Sequence, residues 1–138
     1  MKIEFHENVN DDLLKYAVVI AKYQGKWAYC KHRERLTYEI PGGHREKGES
    51  IEETARRELF EETGAKKYEL IPICVYSVTD KGETSYGMLY YADLIDIGVK
   101  PTNEIEKVYY LDDHPEKQTY PEIQPKLIAE AKRRGIVS

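Results

Sequence analysis

Acidic side chains recur at fixed offsets between two glycines in residues 43–65, which read GHREKGESIEETARRELFEETGA. The segment holds glycines, glutamates and one arginine at seven spaced positions: Gly43, Glu49, Arg57, Glu58, Glu61, Glu62 and Gly64. Residues three and four apart are neighbours on a helix, so Glu58, Glu61 and Glu62 fall within an arc of about 100°. Carboxylates this close raise one another's pKa unless a positive charge lies among them. The spacing therefore predicts a site for a hard divalent cation.

The ligand atoms of this predicted site are all oxygens. Oxygen ligands without His or Cys favour Mg²⁺ or Mn²⁺ over zinc, and Mg²⁺ commonly shares its coordination shell with substrate phosphates. Arg57 precedes the first of the three acids and keeps its charge, so it can hold a carboxylate in bidentate fashion and orient the cluster. An acidic helix face that is merely solvated is the alternative, but the complete spacing favours a site.

A short helix must carry these carboxylates. Ser50 followed by Glu53 is a capping-box pattern that predicts the start of the helix, and Gly64 predicts its end about a dozen residues later. The apolar residues of this run form a stripe beside the acidic arc: Ile51, Ala55 and Leu59. We therefore expect the helix to pack through this stripe and to present its acids at the edge of the packed face.

The complete spacing resembles the signature of the Nudix hydrolases. That signature is glycine, five residues, glutamate, seven residues, arginine, glutamate, an aliphatic residue, one residue, two glutamates, one residue, glycine and an apolar residue. The resemblance implies that Glu58, Glu61 and Glu62 hold metal ions and that Arg57 orients them. Members of the family differ in which acid is the general base. Glu61 is our first choice for that role, and Glu58 and Glu104 are the alternatives.

Residues 38–43, Tyr-Glu-Ile-Pro-Gly-Gly, lead into the segment. Paired glycines let a backbone turn tightly and approach a ligand closely, although a plain turn is also compatible with them. In the family the carbonyl of the glycine before the motif is a metal ligand, and this glycine corresponds to Gly42. The resemblance gives Gly43, Glu46 and Glu49 supporting roles, with Glu49 in supporting contacts or an outer metal shell.

Candidates outside the motif are weaker. Arg33 and Arg35 lie just before Tyr38, and these three residues are the predicted contacts for substrate; a charged surface turn is the alternative for the arginines. Glu104 and Glu106 precede a strand-like run, at a position where many Nudix chains place a further acid. Glu104 is preferred there, and a solvated strand edge is the alternative.

Aromatic residues raise a further possibility, a wall on which a base could stack. The candidates are Trp27, Tyr86, Tyr90 and Tyr91. Strand aromatics are more often core residues, which is the competing interpretation. The four histidines are scattered and form no visible constellation: His6, His32, His44 and His114.

Apolar-rich runs predict strands at residues 16–23, 26–31, 66–77, 85–95 and 106–111, with turn residues at 24–25 and 79–82. A second helix is predicted to begin near Pro125, since proline suits a first turn, and to run to Gly135. Mixed strands with a helix after the first pair and another at the end indicate helices covering a curved sheet. The resemblance, which covers roughly residues 15–134, implies an α/β/α sandwich with a mixed curved sheet.

Composition limits the function classes. The 138 residues suit one domain, residues 1–138, and the net charge of −4 argues against a broad basic face for nucleic-acid polymers. A small phosphorylated substrate fits better. Cys30 and Cys74 lack metal-ligand spacing, so we expect reduced core thiols. The N-terminal residues lack the apolar core of a signal peptide, and no run reaches membrane-spanning length, so we expect a cytoplasmic protein. The oligomeric state, monomer or homodimer, stays open.

The predicted chemistry is metal-assisted hydrolysis of a phosphoanhydride in a compound linked to a nucleoside diphosphate. The short chain and its Glu-Ile-Pro-Gly-Gly loop are most similar to the nucleoside triphosphate pyrophosphohydrolase branch, which includes enzymes that clear oxidised guanine nucleotides such as 8-oxo-dGTP. Nucleotide sugars, dinucleoside polyphosphates and the 5′ end of RNA are alternative substrates. A non-catalytic Nudix-fold nucleotide sensor is the alternative from another class.

Overall fold

The computed structural model describes residues 1–98 and 105–138, of Glu106 only the backbone. Its strands and helices follow in chain order: β1 (Lys2–His6), β2 (Leu14–Tyr23), β3 (Lys26–His32), β4 (Gly42–His44), α1 (Ile51–Thr63), β5 (Lys67–Asp80), β6 (Glu83–Asp96), β7 (Ile105–Leu111) and α2 (Gln124–Arg133). A short 3-10 turn, Asp11–Leu13, leads into β2. No helix of the described ranges is long and apolar enough to cross a membrane.

The strands form one mixed sheet in the order β1-β5-β6-β2-β3-β7, with β4 paired to β2. Only the central β2–β6 pair is parallel, and the other pairs are antiparallel. Two tight hairpin turns have positive φ at both central residues, Gln24-Gly25 and Lys81-Gly82. Such turns match the right-handed twist of the flanking strands. The sheet is curved and unclosed, as expected from the sequence.

The two helices cover opposite faces of this sheet because β2 alternates its side chains between them. Ala17, Val19 and Ala21 pack in the cluster that holds Ala55 and Leu59 of α1. The intervening Ile20 belongs to the opposite cluster, which α2 completes with three side chains: Leu127, Ile128 and Ala131. The predicted α/β/α sandwich with a mixed sheet is confirmed.

Helix α1 begins and ends where its local signals predict. Ser50 accepts a hydrogen bond from the Glu53 backbone, and the Glu53 carboxylate accepts one from the Ser50 backbone, so the capping box is closed. Gly64 adopts a left-handed conformation with φ of 77° and donates its N–H to the Phe60 carbonyl. The capped ends fix the rotation of the helix, and with it the direction of its acidic face.

Several elements differ from the sequence-based expectation. Strand β1 was not expected, and it is placed by pairing with β5 at one edge of the sheet. The glycine loop before the motif is partly a strand, because Gly42 and His44 pair with Val18 and Tyr16 of β2. Strands β5 and β6 continue almost to their two-residue turn, and α2 ends before Gly135, which has positive φ. Strand pairing decided the extents of the strands.

Replacing Gly87 by alanine is expected to destabilise the protein by about 1–3 kcal/mol through overpacking. Gly87 lies opposite Tyr76 in the β5–β6 register, and an added Cβ would come within 2.5 Å of the Tyr76 ring. Tyr76 is buried and has little room to move. Chemical denaturation of Gly87→Ala measures the change in the free energy of unfolding.

Gly98→Ala is the matched control, because among the residues with a described structure its added Cβ would meet just the exposed Asp96 side chain, at 3.2 Å. The Gly98 variant should unfold close to wild type. Equal stability of both variants with wild type would contradict the close packing of Tyr76 over Gly87.

Candidate active site

Arg57 lies at the centre of the acidic segment. Its Nε donates to Glu49 Oε2 at 2.5 Å, and its Nη2 donates to Glu49 Oε1 at 3.1 Å and to the His44 carbonyl at 3.0 Å. The Glu46 carboxylate lies 3.4 Å from Nε. The hydrogen bond from Arg57 lowers the pKa of Glu49 to about 2, outweighing the smaller opposing effect of burial. The arginine thus locks the loop before α1 onto the helix.

The same guanidinium reaches two acids of the helix face. Its Nη1 donates to Glu58 Oε1 at 2.6 Å and to Glu61 Oε1 at 3.1 Å. The Glu58 carboxylate lies directly over Gly43, where the Cβ of any other residue would overlap it. Burial raises the pKa of Glu58 to about 7, and the charges of Glu62 and Glu61 add to this effect. One arginine therefore does not neutralise the acidic face.

Glu62 is the most buried of the three helical acids, with 5% of its surface exposed. Its Oε1 accepts the Gly42 backbone N–H at 2.7 Å, and its Oε2 lies 3.2 Å from His32 Nε2. Burial raises the pKa of Glu62, while the hydrogen bonds from His32 and Gly42 oppose that effect. The end of β3 and the start of β4 therefore both hold this carboxylate.

His32 and Glu39 are site residues that the sequence analysis missed. His32 Nε2 lies 3.7 Å from the buried Glu39 carboxylate, whose other oxygen accepts from Arg35 Nη1 at 2.7 Å. The hydrogen bond with Glu62 raises the pKa of His32, against the opposing effect of burial. Because 30 residues separate His32 from Glu62, no local pattern could connect them.

The three helical acids share one face but do not converge on a single point. Glu58 and Glu61 are directed to Arg57, whereas Glu62 is directed to Gly42 and His32. Within residues 1–98 and 105–138, no three Asp, Glu, His or Cys side chains are gathered as a preformed metal cluster. Arg57 supplies positive charge that we had expected a cation to supply, and this separates the acids into two groups.

A cleft of about 310 Å³ opens beside Gly42 and Gly43. Most of its lining is apolar or aromatic, and it comes from the sheet, from α2 and from the segments beside them. The lining residues include Tyr16, Ile40, Tyr76, Tyr120 and Leu127, together with the polar Gln124. Gln124 Oε1 accepts the Ile40 backbone N–H at 2.9 Å, which fixes the orientation of this buried amide. The cleft adjoins the acidic face and has the size and lining of a small-molecule pocket.

The predicted substrate contacts all lie on the connection between β3 and β4. Arg33 and Arg35 are exposed on the connection after β3, and Arg35 is bound to Glu39. Tyr38 packs edge-on against Tyr109, with ring centroids 5.3 Å apart. Glu104, the predicted further acid, lies outside the described residues.

The four aromatic residues considered for a base-stacking wall do not lie on one face of the sheet. Trp27 is buried in the cluster under α2, whereas Tyr90 is buried in the cluster under α1. Tyr90 and Tyr91 are consecutive in β6 and therefore point to opposite faces of the sheet. Trp27 and Tyr90 are core residues, in agreement with the competing interpretation. The free cysteines Cys30 and Cys74 are buried, as expected.

The chain is similar to known proteins in sequence and in fold. The family model of the NUDIX domain matches residues 14–131. The Bacillus subtilis protein YtkD, provisionally named an 8-oxo-dGTP diphosphatase, is 36% identical over 94 residues. This match covers 68% of the present chain and 59% of YtkD, so the chain spans less than two thirds of that relative.

Solved structures agree with this match. The Bacillus subtilis pyrophosphohydrolase BsRppH, in a mutant form, has a TM-score of 0.80 at 26% identity, covering 99% of this chain and 93% of its own. A C. elegans Ap4A hydrolase shares the fold with a TM-score of 0.68 at 18% identity, covering 89% of this chain and 98% of its own. The motif on α1, the sheet that carries it and these matches together show that the chain belongs to the Nudix hydrolase family.

Proposed function

We propose that this protein is a metal-dependent hydrolase that cleaves nucleoside triphosphates, oxidised guanine nucleotides such as 8-oxo-dGTP among them, to monophosphate and pyrophosphate. The observation that carries the proposal is the position of Glu58, Glu61 and Glu62 on one face of α1, beside the Gly42–Gly43 backbone and a pocket of nucleobase size. The similarity to YtkD supports the oxidised-nucleotide class. Retention of every acid of the motif argues against a sensor without turnover.

The residues of the acidic face fit a divalent cation. Nudix hydrolases generally use divalent metal ions. Here burial raises the pKa of Glu58, the charges of Glu62 and Glu61 add to this effect, and the Glu58 carboxylate rests against the bare backbone of Gly43. The oxygen donors that would hold the ion are the carboxylates of Glu58, Glu61 and Glu62 and the carbonyl of Gly42. Such a donor set favours Mg²⁺ or Mn²⁺.

A bound divalent ion would neutralise the diphosphate of the substrate and lower the pKa of the attacking water. The chain's own contribution is orientation and proton transfer. Glu61 is the least buried of the three acids, with 37% of its side chain exposed, and Arg57 Nη1 holds it at 3.1 Å. These features suit a general base that must reach water. Glu58 and Glu104 are the alternatives for that role.

Arg57 and the loop acids would support this chemistry. Glu49 and Glu46 keep the guanidinium oriented, so that its Nη1 stays between Glu58 and Glu61. The arginines of the connection after β3, Arg33 and Arg35, and the neighbouring Tyr38 are the proposed contacts for the outer phosphates and the nucleoside. Their charge and exposure support this assignment.

The proposed base pocket is the cleft beside α2. Its aromatic and aliphatic walls suit a planar heterocycle, and the Gln124 amide offers a polar group that is already oriented. In this proposal, residues 1–138 are one domain, and its substrate is a small-molecule nucleotide. A cytoplasmic location belongs to the same proposal, and the free thiols of Cys30 and Cys74 support it.

Glu58→Gln is expected to stabilise the metal-free protein at pH 7 to 8 and to abolish most turnover. The folded-state pKa of about 7 exceeds the ordinary value of 4.5. Ionising Glu58 therefore lowers the stability of the fold as the pH rises from 4.5 to about 7, and the loss is complete above that pH. Removing the charge should recover about 1–3 kcal/mol. Denaturation in the presence of a chelator should show the gain above pH 7 and little change near pH 4.

Glu52→Gln is the matched control on the same helix, because Glu52 forms an exposed pair with Arg56 at 3.2 Å. This variant should change stability by less than about 0.5 kcal/mol at any pH and should keep its turnover. A Glu58 variant that is no more stable than wild type above pH 7 would contradict the electrostatic strain on this carboxylate.

Glu61→Gln is expected to leave stability nearly unchanged and to lower turnover by about 100-fold or more, as loss of a general base does. Its side chain is the most exposed of the three and has Arg57 as its partner. Turnover at saturating Mg²⁺ and the thermal midpoint are measured on the same preparation. Near wild-type turnover would exclude Glu61 as the general base and leave Glu58 and Glu104.

The products of a nucleoside triphosphate test the proposed function directly. Monophosphate and pyrophosphate should appear, with no early orthophosphate, because the acidic face would grip the inner diphosphate. A chromatographic assay would compare normal and oxidised nucleoside triphosphates, a nucleotide sugar, a dinucleoside polyphosphate and a 5′-triphosphorylated RNA. Exhaustive chelation should stop the reaction, and Mg²⁺ or Mn²⁺ should restore it.

Each other outcome of this assay has a definite meaning. Diphosphate plus orthophosphate would refute the assigned bond. Cleavage confined to the sugar, dinucleoside or RNA compounds would overturn the substrate choice while keeping the hydrolase class. Full activity after removal of divalent ions would refute the metal dependence.

A further inference from the structure

Glu62 is held at both carboxylate oxygens by groups outside its helix. The Gly42 backbone N–H binds Oε1 at 2.7 Å, and His32 Nε2 lies 3.2 Å from Oε2. The first contact joins two of the proposed metal ligands, Glu62 and Gly42. The second comes from His32 at the end of β3, a strand that lies outside the motif.

The same His32 nitrogen also faces a second carboxylate, that of Glu39. Glu39 Oε2 lies 3.7 Å from Nε2, and Arg35 Nη1 binds the other Glu39 oxygen at 2.7 Å. The Glu39 backbone is bound to Cys30 in both directions, at 2.7 and 3.0 Å. Because Cys30 lies two residues before His32 in β3, the donor and its support belong to the same rigid part of the sheet.

We propose that His32 is a positioning residue for the metal site, which holds Glu62 in the orientation that an incoming divalent cation requires. A carboxylate offers about four lone-pair directions. Two N–H donors use one direction on each oxygen and leave one on each for a cation. A neutral imidazole with its proton on Nε2 is sufficient for this contact. The inference presupposes the metal-dependent hydrolase proposed above.

Removing His32 would leave the Gly42 N–H as the single anchor that the described residues give to the Glu62 carboxylate, whose side chain is 7% exposed. One hydrogen bond does not fix the rotation of a carboxylate about its last side-chain bond, so an incoming cation would have to order Glu62 on binding. Partners that orient a metal ligand typically contribute about 10- to 100-fold to metal affinity or activity. The opposite possibility is that His32 competes with the cation for Glu62. In that case, removing the His32 side chain would tighten the binding of the cation.

The test is Mn²⁺ binding to the free enzyme, measured by titration calorimetry on His32→Ala and His32→Gln. The glutamine amide can reach the place of the imidazole Nε2 and carries no charge at any pH, so the pair separates a positioned donor from a positive charge. His6→Ala is the matched control, since His6 binds Ser77 Oγ at 2.8 Å on β1. Thermal unfolding of each metal-free variant shows whether it is folded.

We expect about 10-fold weaker Mn²⁺ binding in His32→Ala, recovery to within about threefold of wild type in His32→Gln, and wild-type binding in His6→Ala. Turnover should follow the same order at limiting Mn²⁺ and converge at saturation. Unchanged or tighter binding in His32→Ala, or no recovery in a folded His32→Gln, would overturn the positioning role. Absence of Mn²⁺ binding by the wild type would instead refute the proposed function itself.

Discussion

The concentration of negative charge beside one short helix is the constraint on which the rest of the site depends. Burial raises the pKa of both Glu58 and Glu62, the charge of Glu62 raises the pKa of Glu58 further, and Arg57 is the arginine that lies among the motif acids. Like charges in a partly desolvated site repel strongly, so the fold must compensate them with fixed donors. Arg57, the Gly42 N–H and His32 each bind one or two of these oxygens.

This compensation explains why the sheet and the helix are joined at the glycine pair. Strand β4 pairs with β2, and this pairing carries Gly42 against Glu62 and Gly43 under Glu58. The absence of a side chain at Gly43 lets the carboxylate rest on backbone. Helix α1 is fixed in turn by its capping box and by the burial of its apolar stripe against β2. Charge, strand pairing and helix packing are therefore mutually dependent.

The two helices lie on opposite faces of the sheet and border different parts of the candidate site. Helix α1 covers one face and presents the acids at its edge, while α2 covers the other face and borders the cleft. The glycine pair lies where these regions meet, so a nucleotide in the cleft would place its phosphates toward the acidic face. Gln124 connects the two sides physically, because it begins α2 and binds the backbone of Ile40 just before the glycines.

The sequence by itself determined what depends on neighbouring residues. Capping, helical spacing and turn chemistry act over a few residues. They account for the bounds of α1, its acidic face, the contacts of Arg57 with Glu58 and Glu61, and the two hairpin turns. Strand β1, the pairing of β4, the division of the aromatics between two cores and the His32–Glu62 contact depend on segments distant along the chain. Only tertiary structure could decide them, because strand register and long-range burial bring together residues that no local periodicity relates.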